Sequence, residues 1–138
     1  MPRCCDVPID HIPYVWPKIE PFLAKSLKFD DCARYQAVDV FELLLQGGSR
    51  RLWIAFDTER QEFDGAAVTE IIQSPRCREC RAWLVGGKNL RLWQDEMRAM
   101  IEAYAQAEGC QFVTGSGRRG WTRMPGYESA GILFQKAL

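Results

Sequence analysis

From Leu90 to Ala107 apolar residues return at helical spacing. Leu90, Trp93, Met97, Ile101, Tyr104 and Ala105 share one face, and Arg91, Asp95, Arg98 and Glu102 form a charged stripe. Arg91–Asp95 and Arg98–Glu102 stand four residues apart, and Gly109 supplies the stop. The Trp/Met/Tyr face reads as core that holds this helix against a sheet. Immediately before it, Cys80-Arg81-Ala82-Trp83-Leu84-Val85 is a hydrophobic strand that runs into Gly86-Gly87-Lys88-Asn89. A strand, a glycine turn and a helix start form an anion site, because free N–H groups and the helix dipole point at the turn.

Earlier in the chain, Trp16, Ile19, Phe22, Leu23 and Leu27 also recur at helical spacing. Pro17 and Pro21 fall inside that pattern and predict a helix that starts late or bends at Pro21. Lys28–Gln36 reads as a polar connection. A short helix is predicted from Val38 to Gln46, ended by Gly47-Gly48. Three strand patterns follow: Arg51–Asp57, Gly65–Gln73 and Cys77–Val85, joined by Thr58–Asp64 and Ser74-Pro75-Arg76. These connections are too short for parallel crossovers, so the three make an antiparallel meander. Cys110–Thr114 is a short strand, Gly115–Gly120 a glycine-rich loop and Trp121–Met124 a helical turn. Tyr127–Leu138 is a last strand, bent at Ala130-Gly131. The N-terminal residues are proline-punctuated, with Arg3–Val7 as the one strand candidate. The long helix joins the third and fourth strands of this order and makes that pair parallel. The predicted fold is one α/β (α+β) domain over residues 1–138, a mixed, mostly antiparallel sheet with helices on both faces.

Charge removes some functional classes. Lys+Arg and Asp+Glu are each 18 in 138 residues, so no global field attracts nucleic acid or an anionic membrane. No apolar run approaches the roughly 20 residues of a membrane span, and the start lacks a signal-peptide apolar region, which predicts a cytoplasmic protein with reduced thiols. Cys77-x-x-Cys80 has the spacing of a zinc half-site or a redox pair. No second such pair exists and His11 is the sole histidine, so ordinary thiols are the third reading.

The element order resembles the GNAT superfamily of acyl-CoA-dependent N-acetyltransferases, over about Trp16 to Leu138. Arg51–Asp57, Asp64–Ile72, Arg81–Gly87, the Leu90–Ala107 helix and Gly126-Tyr127-Glu128 carry the resemblance. Asp39–Leu44 with Leu52-Trp53-Ile54-Ala55, together with Gly117-Arg118-Arg119-Gly120-Trp121, is similar to a narrower set: small acetyltransferase-like proteins of tailed bacteriophages and prophages. The superfamily resemblance implies acetyl-CoA as acyl donor, its pyrophosphate on backbone N–H groups of Val85, Gly86, Gly87, Lys88, Asn89 and Leu90. It implies Glu70, mid-strand among apolar residues, as general base toward an amine, alone or through water. The sequence departs from the family in two places. The turn lacks the Gln/Arg-x-x-Gly-x-Gly/Ala pattern, and Trp121–Pro125 lacks the tyrosine that protonates the leaving thiolate. Two readings therefore stand: an N-acetyltransferase, and a non-catalytic GNAT fold. The second serves phage particle assembly or a host interaction, in the host cytoplasm or on the virion, with Trp53 and Trp83 as a partner or homodimer surface.

Overall fold

A computed structural model describes residues 2–30, 34–116, 123–131 and 135–138. In chain order these form β1 (Arg3–Val7), a single 3-10 turn, α1 (Ile12–Asp30) and α2 (Ala37–Gln46). β2 (Arg50–Asp57), β3 (Glu62–Gln73), β4 (Arg78–Gly87), α3 (Leu90–Ala107) and β5 (Phe112–Gly115) follow. The strands lie in one sheet in the order β1-β2-β3-β4-β5. Every neighbour is antiparallel except β4 and β5, which run parallel because α3 crosses between them.

The sheet is covered on both faces. On one, α1 and α2 bury Ile12, Ile19, Leu23, Leu27, Val40 and Leu44 against Leu52, Ile54, Ala66, Val68, Trp83 and Leu84. On the other, α3 seats Trp93, Met97, Ile101 and Ala105 on Cys4, Trp53, Ala55, Ala67 and Cys80. The periodic face predicted for α3 is thus its buried face, within the predicted bounds.

Four expectations need correction. α1 neither starts late nor ends at Leu27: it runs through Pro17 and Pro21 to Asp30. Pro13, Pro17 and Pro21 are all exposed and four residues apart, so the carbonyls they leave without an intrahelical donor face water, which satisfies them. Gly86 and Gly87 do not form the turn; they are the last two residues of β4. Their bare Cα atoms allow close approach. A Cβ on Gly86 would overlap the Phe22 carbonyl oxygen of α1, and one on Gly87 would overlap the Asp64 carbonyl oxygen. The predicted last strand is not formed over 127–131 or 135–138, while 132–134 lie outside the described residues. Tyr127 turns instead to α3, its hydroxyl 3.4 Å from Glu102 Oε1. Finally, Trp53 and Trp83 are 3% and 6% exposed, so they present no partner surface. Residues 117–122, which carry part of the glycine-rich loop and of the predicted helical turn, fall outside the described residues.

Candidate active site

β4 changes character halfway along. From Glu79 to Ala82 it pairs with β3 on one side and with Phe112–Gly115 of β5 on the other. From Trp83 to Gly87 it pairs with β3 alone among the described residues. At the point of parting lies a bulge. Val68 of β3 faces Leu84 and Thr69 faces Ala82, which leaves Trp83 as the extra residue. The bulge sends two consecutive side chains, Trp83 and Leu84, into the same core under α1. From Trp83 onward β4 therefore has no second strand partner among the described residues, and it ends at the start of α3.

That end is held firmly. Asn89 adopts a left-handed conformation (φ 55°) that turns the chain from strand to helix. The Lys88 N–H donates to Asp64 O at 2.7 Å, and the Trp93 indole N–H donates to Lys88 O at 2.8 Å. Two features follow for an anion. The first-turn N–H groups of Leu90 and Arg91 have no intrahelical acceptor, as at any helix start. Lys88 is already engaged, its N–H by Asp64 and its Nζ by Glu62 Oε2 at 2.8 Å. The Lys88 ammonium holds the Glu62 carboxyl below its ordinary range. Arg60 ties the same turn together, reaching Asp57, Glu62 and the fully buried Asp64.

On the α1 face of the sheet, Glu70 sits between two arginines. Its Oε1 meets Arg81 of β4, and its Oε2 lies 3.4 Å from Nε of Arg50 on β2. The register places the three side by side, with Arg50 and Arg81 each directly opposite Glu70. Glu70 is half-buried, with both oxygens facing guanidinium groups. The Arg81 guanidinium lies 5.6 Å from the Trp83 ring, and the Tyr35 ring meets Trp83 edge-on at 4.9 Å. Two residues before Arg81 on the same face is Glu79, partly buried and without an ion pair among the described residues. Sequence reasoning passed over Glu79. The signal was its alternation: in Glu79-Cys80-Arg81 the buried Cys80 marks the other face.

Cys4 and Cys80 are core thiols. Burial pushes Cys80 up to about 11 and Cys4 up to about 12, and burial also raises Cys110. Such thiols stay protonated near neutral pH and make poor nucleophiles and poor metal ligands. Among the described residues no cluster of His, Cys, Asp or Glu is arranged to hold a metal ion. No described helix is long and apolar enough to cross a membrane.

No protein-family model matches the chain, and no curated protein sequence does. Solved structures do. A putative acetyl transferase from Pyrococcus furiosus superposes with a TM-score of 0.73 at 15% identity, over 100% of both chains. An aminoglycoside N-acetyltransferase, AAC(6')-Iy, solved with CoA, gives 0.71 at 13% identity, over 99% of this chain and 95% of the other. An aminoglycoside acetyltransferase from an uncultured soil metagenomic sample, solved with sisomicin, gives 0.71 at 8% identity, over 99% and 96%. The fold is that of the GNAT acetyltransferases: a mixed α/β sheet of five described strands with helices on both faces. At these identities the likeness concerns the fold, and the chemistry has to be argued from the site.

Proposed function

We propose that this protein transfers an acetyl group from acetyl-CoA to a primary amine. The observation that carries the reading is the middle of β4: a strand bulged at Trp83 whose far half has no second strand partner among the described residues. An unpaired strand edge suits an extended, amide-bearing chain such as the pantetheine arm of CoA. The main chain of Val85, Gly86 and Gly87 would line that arm. The main chain of Asn89 and Leu90, at the start of α3, would receive its phosphates, beside the ammonium of Lys88. Acetyl-CoA supplies a thioester. Attack by the amine nitrogen forms the C–N bond, breaks the C–S bond and releases the CoA thiol.

The remaining chemistry is removal of a proton from the amine. Two carboxylates on the α1 face are candidates. Glu70 faces Arg50 and Arg81, whereas Glu79 has no cation to satisfy it among the described residues. We assign proton removal to Glu79 and give Glu70 the task of orienting Arg81. The released thiolate takes its proton from water, since Tyr127 is turned to Glu102.

One observation favours a second reading, a GNAT fold that no longer binds CoA. The start of α3 is flanked by three carboxylates, Asp57, Glu62 and Asp64, against two cations, Arg60 and Lys88, and Lys88 is bound to Glu62. That charge opposes a pyrophosphate. On this reading the protein serves phage particle assembly or a host contact through its fold alone.

Thermal unfolding with and without acetyl-CoA separates the two. At about 100 times its dissociation constant a ligand adds roughly 2.7 kcal/mol. The enzyme reading expects a higher Tm with acetyl-CoA, reduced in Lys88→Glu, and CoA release that falls far more in Glu79→Gln than in Glu70→Gln. An unchanged Tm at millimolar acetyl-CoA removes it and leaves the second reading.

A further inference from the structure

The acceptor side of the proposed site carries more cationic donors than the protein uses. Arg50 and Arg81 converge on a single carboxylate, Glu70, whose side chain is 13% exposed. The Nε atoms of both arginines are buried and make no hydrogen bond. Arg50 Nε stands 3.4 Å from Glu70 Oε2, an electrostatic contact without hydrogen-bond geometry. A buried guanidinium N–H left unmade is costly, and it marks two arginines whose charge one carboxylate does not use up; their side chains remain 29% and 37% exposed, where a ligand carboxylate can meet them. The rest of Arg81 is pre-organised: Glu70 holds one arm and the Trp83 ring lies beside the guanidinium.

Chemistry of both signs sits within reach. Residues two apart on a strand lie about 6.6 Å from each other on one face. Glu79 and Arg81 are such a pair, which presents an anion and a fork of donors side by side. Beyond Trp83, Tyr35 forms one wall of a hollow of about 270 Å³ that Ala24, Leu27 and Ala37 line with apolar surface and Glu20, Lys28 and Gln36 with polar groups.

We infer that the acceptor is a small amine that itself bears a carboxylate, with its ammonium toward Glu79, its carboxylate on Arg81 and Arg50, and its apolar side chain toward Tyr35. The inference rests on the acetyl-transfer reading and narrows it. It also separates this chain from neighbours solved as aminoglycoside acetyltransferases: a polycation with no carboxylate meets two arginines and gains nothing from them.

The test is a panel of acceptors at equal concentration, read as CoA thiol release and as N-acetyl product by mass spectrometry. Leucine and phenylalanine are set against isoamylamine and phenethylamine, which lack only the carboxylate. Phosphoethanolamine tests whether any anion suffices, and sisomicin tests a polycation. The expected result is kcat/KM at least about tenfold higher for each amino acid than for its decarboxylated partner, since a site built around hydrogen bonds rejects the analogue that cannot make them. Arg81→Met should abolish that preference, bringing kcat/KM for leucine down to that for isoamylamine in the same variant, and Arg81→Lys should restore only part of it. Should Arg81→Met fail to fold, Arg50→Met, judged by circular dichroism before assay, takes its place. Equal rates on the paired acceptors, a preference for phosphoethanolamine or sisomicin, or a preference that survives Arg81→Met would overturn the inference. An acetyl-CoA Tm shift measured on the same preparation tells the two failures apart: a shift without carboxylate preference sinks this proposal alone, and no shift sinks both.

Discussion

The two halves of β4 end in different environments. The first half, through Ala82, is an interior strand with ladders on both sides. The second half, from Trp83 to Gly87, keeps the β3 ladder and leaves its other edge open among the described residues. Side-chain burial does not account for the difference. Cys80 and Leu84, one in each half, are both fully buried. The contrast lies in the main chain and in the bulge that rotates the strand as β5 departs. A single inserted residue marks the change, at no loss of core, since Trp83 and Leu84 both pack under α1.

Mutations can break that comparison or sharpen it. The largest effect is expected beneath the open half. Trp93 is 1% exposed and its indole N–H donates to Lys88 O. Trp93→Ala should cost about 3–5 kcal/mol in urea unfolding and loosen the start of α3, so that any acetyl-CoA Tm shift falls with it. Next come two variants of similar cost and opposite consequence. Gly86→Val drives a side chain into the Phe22 carbonyl and should cost about 1–3 kcal/mol, with loss of ligand response. Thr69→Val, opposite Ala82 in the doubly paired half, strands the buried Trp53 N–H now bonded to Thr69 Oγ1 at 2.9 Å. It should also cost about 1–3 kcal/mol and leave ligand response intact. If both variants bind alike, the two halves are not functionally distinct.

Smaller effects follow. In native-state hydrogen exchange, amides of Trp83–Gly87 on the open edge should exchange well before those of Glu79–Ala82, and acetyl-CoA should slow them selectively. The smallest effect is in acid. The Arg60 backbone N–H, with its guanidinium, holds the Asp57 carboxyl below its ordinary value of 3.8 against the opposing pull of burial. A lowered folded value means that Asp57 favours folding above its ordinary range, and that this is lost as pH falls through the lowered value. The urea midpoint should therefore drop between pH 5 and pH 3, and drop less in Asp57→Asn.

What the sequence disclosed divides along the same physical line. α3 was legible in full because its apolar period is unbroken and its contacts are side-chain contacts. The parallel β4–β5 pair followed from the length of that crossover. Glycine was the ambiguous letter. Gly86-Gly87 signals either a turn or a close backbone approach, and only the position of Phe22, some 60 residues earlier, decides between them. Proline misled for a related reason: local rules count the missing donor in α1, and the exposure of Pro17 and Pro21 decides whether it costs anything. At the site, Glu70 was picked out by its apolar neighbours, but Arg50 and Arg81 become its partners only through sheet register. The bulge at Trp83 left no mark in the composition at all.

The edge of β4 that has no strand partner among the described residues has one further consequence. Unpaired strand edges are what other extended polypeptides add to, so the groove that would welcome a slender ligand is also a place where copies of this chain can stick together. A full groove would then guard solubility as well as serve chemistry, and concentrated ligand-free preparations would be the first to turn cloudy on warming.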